Sequence, residues 1–532
     1  MTMLKQWDVE DEQFWESTGK AVATRNLIVS IPNLLCGFAV WLYWGMIAKV
    51  IQSAHFADPE LFNFTWGNEG QPYDDNGYRA LLFLLPALAG LVGATLRIPN
   101  SFMISICGGR NVKFMTTVML IIPAFGTGIA LRNADVSFTM LILFACLSGV
   151  GGGAFASSMS NISFFFPKRM QGLSLGLNAG IGNFGVSTMQ FLIPLAITYG
   201  VFGALGGEPH RYIRNGELAN VWIQNAAMIW VPVMAVLAVL AFFLMNNLPQ
   251  HKCGPTPVAI GKFLWLQGLG FIGAAAGVAM LLMPRYITNF PVNELLWTFI
   301  VLLVAVGVTL GVMKFLTPKT IKSSLDDQFE IFKNKHTWIM TWLYTMTFGS
   351  FIGYANAFPK LIDDVFNRDG SIITSRYIWI GAGVGALIRQ IGGWFSDKWG
   401  GARVTQWDTW IMVGATILAG YFVYKARISD DPAALFIPFL ITFVILFAAT
   451  GIGNGSTFRM IPIIFSKAQA GPVLGWTSAI AAYGAYLIPK IFATQIKAGT
   501  PEYALYGFAA YYASCLALNW WFYARKNAEI HC

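Results

Sequence analysis

Arg97 and Arg389 are the residues of this chain whose type and setting could do chemistry. Each lies inside a long apolar run and closes a near-identical pentapeptide, Gly93-Ala94-Thr95-Leu96-Arg97 and Gly385-Ala386-Leu387-Ile388-Arg389. A guanidinium stays protonated at any accessible pH and offers a planar fork of donors suited to a small planar oxyanion. At bilayer depth an arginine costs about 2.5–3.5 kcal/mol on insertion scales, so two in matching contexts call for a compensating partner. No Asp, Glu or His falls near the centre of the twelve duplicated apolar runs. Asp408 sits within a turn or two of one helix end, Glu294 begins a run, and His55, His210, His251, His336 and His531 fall in loops or at ends. The expected partner is an anion held between two halves of a duplicated protein. An empty site would leave two cations facing each other.

The composition fits that setting. The 532 residues are 56% hydrophobic and 11% charged, against about 25% charge in soluble domains, which reads as an all-α integral membrane protein in contact with the lipid bilayer. The net charge of +9 then belongs to loops facing anionic lipid, not to a nucleic-acid partner. The six cysteines lack metal or disulfide spacing and read as small buried hydrophobes, and no cofactor is expected. The first 25 residues are polar and acidic, unlike a cleavable leader, so the first span is expected to serve as the targeting signal.

Spanning takes about 20 mostly apolar residues. Spans fall near 26–51, 80–106, 112–132, 136–166, 172–202 and 225–247, and again near 337–360, 375–396, 404–425, 433–458, 470–496 and 502–524. Two more apolar runs, 259–283 and 294–316, lie between the sets. About fourteen helices result. They divide into a six-helix bundle at 26–250, a linker at 251–336 with two extra helices, and a second six-helix bundle at 337–525. A segment at 1–25 and a tail at 526–532 flank them. Arg110, Lys113, Lys168, Arg169, His251, Lys252, Lys314, Lys319, Lys322, Lys333, Lys335, Lys398, Arg403, Lys467, Arg525 and Lys526 collect on one side. Asp58, Glu60, Glu69, Asp74, Asp75, Asp363, Asp364 and Asp369 fall on the other, with Arg211 and Arg214 as exceptions. The positive-inside rule then makes both termini cytoplasmic.

The duplication extends past the arginines. Gly108-Gly109-Arg110 answers Gly400-Gly401-Ala402-Arg403, and Phe166-Pro167-Lys168-Arg169-Met170-Gln171-Gly172 aligns with Phe465-Ser466-Lys467-Ala468-Gln469-Ala470-Gly471. The register continues with Gly176 opposite Gly475 and Gly185 opposite Gly484. Parallel six-helix repeats with a site between them describe the major facilitator architecture. Gly393-Trp394-Phe395-Ser396-Asp397-Lys398-Trp399-Gly400-Gly401-Ala402-Arg403 resembles that superfamily's loop motif, G-x-x-x-D-x-x-G-x-R, with one extra residue before the arginine. The resemblance implies gating roles for Asp397 and Arg403; the first-half loop lacks the aspartate. Gly149/Gly153, Gly176/Gly180 and Gly471/Gly475 are spaced i, i+4 and Gly182/Gly185 i, i+3, the spacing of close helix contacts that slide, not of a phosphate-binding loop. Asn178 and Ser478 are polar residues on these glycine-rich helices.

One stretch is more specific. Gly153-Ala154-Phe155-Ala156-Ser157-Ser158-Met159-Ser160-Asn161-Ile162-Ser163-Phe164-Phe165-Phe166-Pro167-Lys168 leads into Gln171-Gly172 and Gly176-Leu177-Asn178-Ala179-Gly180-Ile181-Gly182-Asn183-Phe184-Gly185. It closely resembles the signature of the nitrate/nitrite porter family, particularly its bacterial NarK-type branch. The likeness also covers Glu10 to Trp15, Ala23 to Leu27, Leu96-Arg97-Ile98-Pro99, Thr347 to Gly353 and Gly451 to Phe458. It implies that Arg97 and Arg389 clamp the anion, that Phe155 and Phe348 sandwich its planar face, and that Asn178, Tyr344 and Ser478 reach it. The 259–316 hairpin departs from the family's twelve helices.

The resemblance implies a transporter and not an enzyme, moving nitrate and nitrite through a bacterial cell inner membrane in the service of nitrate respiration. With two fixed positive charges and no titratable partner, nitrate:nitrite exchange by alternating access is the expected mode and nitrate/proton symport the alternative. A channel or a redox subunit fits less well, the latter because buried haem-ligating histidines are missing. Oligomeric state leaves no mark on the sequence. Arg97→Lys or Arg389→Lys is expected to cripple anion uptake although charge is kept, because the planar fork is lost; near-normal uptake in either variant would exclude a bidentate clamp.

Overall fold

An apolar segment in a bilayer must satisfy its backbone internally, so the long apolar runs fold as helices. A computed structural model of the chain describes all residues except 1–3, 5, 215, 252, 288, 289 and 368–370. Asp369 and Lys252, counted above among the loop charges, lie outside the described residues. Nine described runs are long and apolar enough to cross a membrane: α1 (Glu12–Ala57), α2 (Gly77–Asn100), α3 (Gly109–Ala130), α4 (Phe138–Phe165), α6 (Asn225–Leu244), α7 (Thr256–Tyr286), α8 (Glu294–Leu316), α11 (Gly401–Ile428) and α12 (Ala433–Ile464). Five further helical runs complete fourteen: α5 (Gln171–Ala196), α9 (335–366), α10 (378–399), α13 (467–497) and α14 (502–524). Four of these five, α5, α9, α10 and α13, carry the polar, glycine and proline residues of the site and its interfaces, which is why they read as less apolar.

Both termini lie on one face. Trp7 donates to the Phe164 carbonyl, and the Cys532 carbonyl accepts from Ala402 N. This terminal face also carries the α4–α5 and α10–α11 loops. On the opposite face the chain after α5 turns back, Trp222 N bonding the Ile197 carbonyl, and forms an antiparallel hairpin of β1 (His210–Arg214) and β2 (Glu217–Val221). The hairpin ends the fifth span near Ala196, short of the 202 expected, and it carries Arg211 and Arg214. Lys113, counted with the loop charges, is instead buried one turn inside α3, and its Nζ has no partner among the described residues.

The two sets of helices meet along α5–α10 and along α13 with α2 and α4. Glycine permits the first contact. A β-carbon on Gly176 would stand 3.1 Å from Gln390 Cα, and one on Gly180 2.7 Å from the Ala386 carbonyl oxygen. Gly172 meets the Gly393 backbone in the same way. The three glycines are spaced by four and line one face of α5. Gly471 and Gly475 of α13 do the same against Ser160 of α4 and Ser101 beside α2. Gly182 and Gly185 pack instead within the first half, on Leu34 and Leu35 of α1. The extra pair, α7 and α8, packs outside this interface, α7 on α2 and α8 against both α2 and α13.

Gly176→Val would force the α5–α10 contact apart at a typical overpacking cost of about 1–3 kcal/mol. The closed arrangement should then lose population by roughly tenfold to a hundredfold. A cysteine placed at Ala386, buried by Gly180, reports this by faster thiol labelling. Unchanged labelling would exclude the glycine stripe as the element that permits closure.

Candidate functional site

The two arginines reach the centre from opposite halves. Pro99 lies in the last turn of α2, two residues after Arg97, and α10 breaks at Ile388, directly before Arg389. Both side chains are 0% exposed. Arg97 donates from Nε to the Gly152 carbonyl at 2.8 Å and from Nη1 to the Ser478 carbonyl at 3.1 Å. Arg389 donates from Nη1 to the Ala179 carbonyl at 3.4 Å. In the repeat register Gly176 answers Gly475, so Ala179 answers Ser478. Each arginine therefore rests on the same backbone position of the other half.

What remains of the two forks is unmet. Arg97 Nη2 and Arg389 Nε and Nη2 are buried without a partner among the described residues, and neither arginine forms an ion pair there. An unmet buried donor costs about 1–3 kcal/mol, and more when charged. Three such donors on two cations leave unused hydrogen-bonding capacity between the halves, suited to acceptor oxygens. Phe348 lies beneath both guanidiniums, 4.8 Å from Arg97 and 5.8 Å from Arg389. Phe155 and Trp41 also face Arg97, at 4.7 and 5.1 Å, and Phe351 faces Arg389 at 5.0 Å. These aromatic faces hold the cations where carboxylates are missing.

Phe155 and Phe348 stack on each other, centroids 5.1 Å apart and planes 11° from parallel. A planar anion between them needs about 7 Å, two carbon contact distances, so the rings must part to admit one. Phe348 sits where α9 widens over Thr345–Gly349 to longer-range backbone bonding, a local loosening common at functional sites. Tyr344, one turn earlier, stacks on Phe458 at 4.2 Å and donates to Asn454 Oδ1 at 2.9 Å. Asn454 Nδ2 has no partner among the described residues.

Two polar candidates bond within their own half. Asn178 turns into the first half, donating to Ser158 Oγ at 3.1 Å, and makes no bond to either arginine. The Ser478 hydroxyl bonds back to the Gly475 carbonyl at 2.7 Å, so Ser478 serves Arg97 with its carbonyl, not its side chain. Asn454 went unremarked in the sequence, although it lies in the Gly451–Phe458 stretch. The register that pairs Phe166 with Phe465 puts it opposite Phe155, and that correspondence was the available signal.

The site is closed toward both faces. On the terminal side Asp397 accepts from Gly172 N and Leu173 N at 3.2 and 3.0 Å, capping the start of α5. It pairs with Arg459 at 3.2 Å, while Arg403, the motif arginine expected to serve it, is exposed. The extra residue in the motif carries Arg403 past the aspartate, and Arg459 of α12 takes its place. Beside α2, where the matching aspartate is missing, Gln328 of the linker helix Lys319–Phe329 donates to the Phe102 carbonyl, and Phe102, Phe329, Phe332 and Trp476 pack together. Toward the other face Thr95 bonds Tyr483 at 2.9 Å and Ser187 bonds the Trp379 carbonyl at 3.0 Å, each between halves.

Asp408 differs most from its sequence reading. It is 2% exposed, and neither oxygen has a partner among the described residues. Its Oδ2 fills the space left by Gly453, beside Thr347 of the widened turn. Seven residues into α11, it reaches deeper than its distance from the helix end suggests.

No family model matches the chain. It is 33% identical to the probable nitrate/nitrite antiporter NarK2 of Thermus thermophilus, over 100% of this chain and 98% of that one. It is 34% identical to the nitrate/nitrite transporter NarU of Salmonella typhimurium, over 99% and 97%. Among solved structures, the proton:xylose symporter XylE aligns over 94% of this chain and 96% of its own with a TM-score of 0.57 at 14% identity. The human organic anion transporter MFSD10 aligns over 93% and 99% with a TM-score of 0.53 at 14% identity. These structures share the fold, a multi-pass membrane protein of major facilitator type, and the full-length relatives identify the branch: the chain belongs to the NarK-type nitrate/nitrite porter family of the major facilitator superfamily.

Proposed function

We propose that the protein carries nitrate and nitrite across the membrane by alternating access, exchanging one for the other, with the anion held between Arg97 and Arg389. The observation that carries this reading is the set of three unmet guanidinium donors, buried on two cations from opposite halves. The names of the full-length relatives supply the anion. Phe155 and Phe348 part to take it, and Tyr344 and Asn454 orient it from the side of α9 and α12. Residues 26–250 and 337–525 rock as two units about this point, with 251–336 as linker. The contacts of Asp397 on one face and of Thr95 with Tyr483 on the other form and break in turn.

Exchange follows from the electrostatics. Two facing guanidiniums repel, and the repulsion grows as water leaves, so the empty carrier closes at a penalty that either anion removes. The terminal face, with Arg110, Lys168, Arg169, Lys467 and Lys526, is the cytoplasmic side of a cell inner membrane. Nitrate/proton symport is the second reading, favoured by the buried carboxyl of Asp408.

Reconstituted liposomes separate the two. Loaded with nitrite and given no pH gradient, they should take up nitrate, while nitrite-free liposomes with an inward proton gradient should take up roughly tenfold less, the empty carrier having to close first. Equal uptake driven by the proton gradient alone would replace exchange with symport.

A further inference from the structure

Asp408 is a buried acid that neither the clamp nor the gates use. Its carboxyl fills the space beside Gly453, the neighbour of Asn454, and Thr347, the neighbour of Phe348, borders the same space. One residue step along α12 and one along α9 thus lead from Asp408 to groups of the anion site. Glycine at 453 makes this approach possible, because a β-carbon there would overlap Oδ2. Toward the terminal face a turn of hydroxyls continues from it: Thr405 and Ser456 bond each other at 2.7 Å, and Ser456 Oγ also donates to the Gly453 carbonyl at 3.0 Å.

None of the titratable and charged groups described on the neighbouring helices bonds Asp408. Tyr344 of α9 bonds Asn454, Tyr512 of α14 bonds Ser350 and Tyr354, and Cys515 contacts the Trp342 carbonyl. Arg389 of α10 gives Nη1 to the Ala179 carbonyl and makes no bond to Asp408 with its unmet Nε and Nη2, and Arg459 of α12 pairs with Asp397. At the ends of the packed helices Asp363 and Asp364 pair with Lys49 and Lys360, and Tyr523 bonds His336. Nothing among the described residues donates to Asp408 or neutralises it. A carboxylate enclosed without donor or cation is strongly disfavoured, whereas the neutral acid is tolerated.

We propose that Asp408 is a proton-binding site linked to the arginine clamp, so that each anion enclosed between the halves is accompanied by one proton on the Asp408 carboxyl. The proton comes from the aqueous side that is open, adds to the carboxylate oxygen, and returns to water when the other side opens; no other bond forms or breaks. The negative charge of the anion favours the proton, and by reciprocity the proton favours the anion. This rests on the transport reading above. In nitrate:nitrite exchange the proton travels with both anions and cancels, so it shapes affinity without adding a driving force.

Nitrate binding to the purified full-length protein, followed by calorimetry between about pH 5 and about pH 8, should weaken by up to tenfold per pH unit as pH rises, the limit for one linked proton. In weak buffer, wild-type protein at the upper end of that range should take up close to one proton per nitrate bound. Asp408→Asn, which mimics the neutral acid, should bind nitrate with an affinity that no longer depends on pH. Nitrate binding without proton uptake in the wild type would overturn the proposal whether or not the variant folds, and so would a pH dependence that survives in Asp408→Asn. Absence of nitrate binding at every pH would instead overturn the transport reading on which the proposal rests.

Discussion

Two guanidiniums enclosed in a medium of low polarity, with donors left unmet, are the constraint on which the rest of this structure depends. Neither can shed its charge, and no carboxylate pairs with either among the described residues. The protein manages them with what is neutral: carbonyls at Gly152, Ser478 and Ala179, and the faces of Phe348, Phe155, Trp41 and Phe351. These contacts hold the cations without cancelling them. An acid in their place would have formed a complete ion pair and removed the reason to bind anything else.

That choice fixes how the halves must meet. Arg97 takes a carbonyl from α13 and Arg389 one from α5, so each arginine is seated only when the opposite half is close. Close approach demands small residues, and glycine lines both seams, at 172, 176 and 180 of α5 and at 471 and 475 of α13. The glycines and the arginines are parts of one device. A side chain at any of those five positions would press on the facing half and hold the halves apart.

The same logic explains what could be read from the sequence. The fourteen helices, the repeat, the two arginines and the glycine stripes were legible because apolar length, charge in an apolar run and small-residue spacing are local patterns. The carbonyl partners were not. Ala179 has no polar side chain to notice, and Ser478 drew attention for a hydroxyl that bonds its own helix. Asp397 was recognised by its motif, but its cation, Arg459, is 62 residues away and emerges only from the packing of α10 on α12. Depth along a helix is also a poor guide to depth in the protein. Asp408 looked peripheral by residue count, yet it sits on the buried face of α11 with Thr405, Thr409 and Met412, at the spacing that faces α12.

The extra hairpin obeys the constraint by staying outside the seam while touching both sides of it. Its ties differ in kind. On α2, Asn100 donates to Gln267 of α7 at 3.0 Å, fully buried and one turn from Arg97, and Gly270 sits against Leu96 and Pro99. On α13 the polar ties are the ion pair of Glu294 with Lys490, whose side chains are 54% and 31% exposed, and a buried hydrogen bond between Thr298 of α8 and Tyr486. A buried amide pair that is broken leaves unsatisfied groups at about 1–3 kcal/mol each, whereas an exposed ion pair is worth about 0–1 kcal/mol. Buried polar contacts therefore hold the hairpin to both halves, through Gln267 to α2 and through Thr298 to α13, and its closest packing is on the helix that carries Arg97.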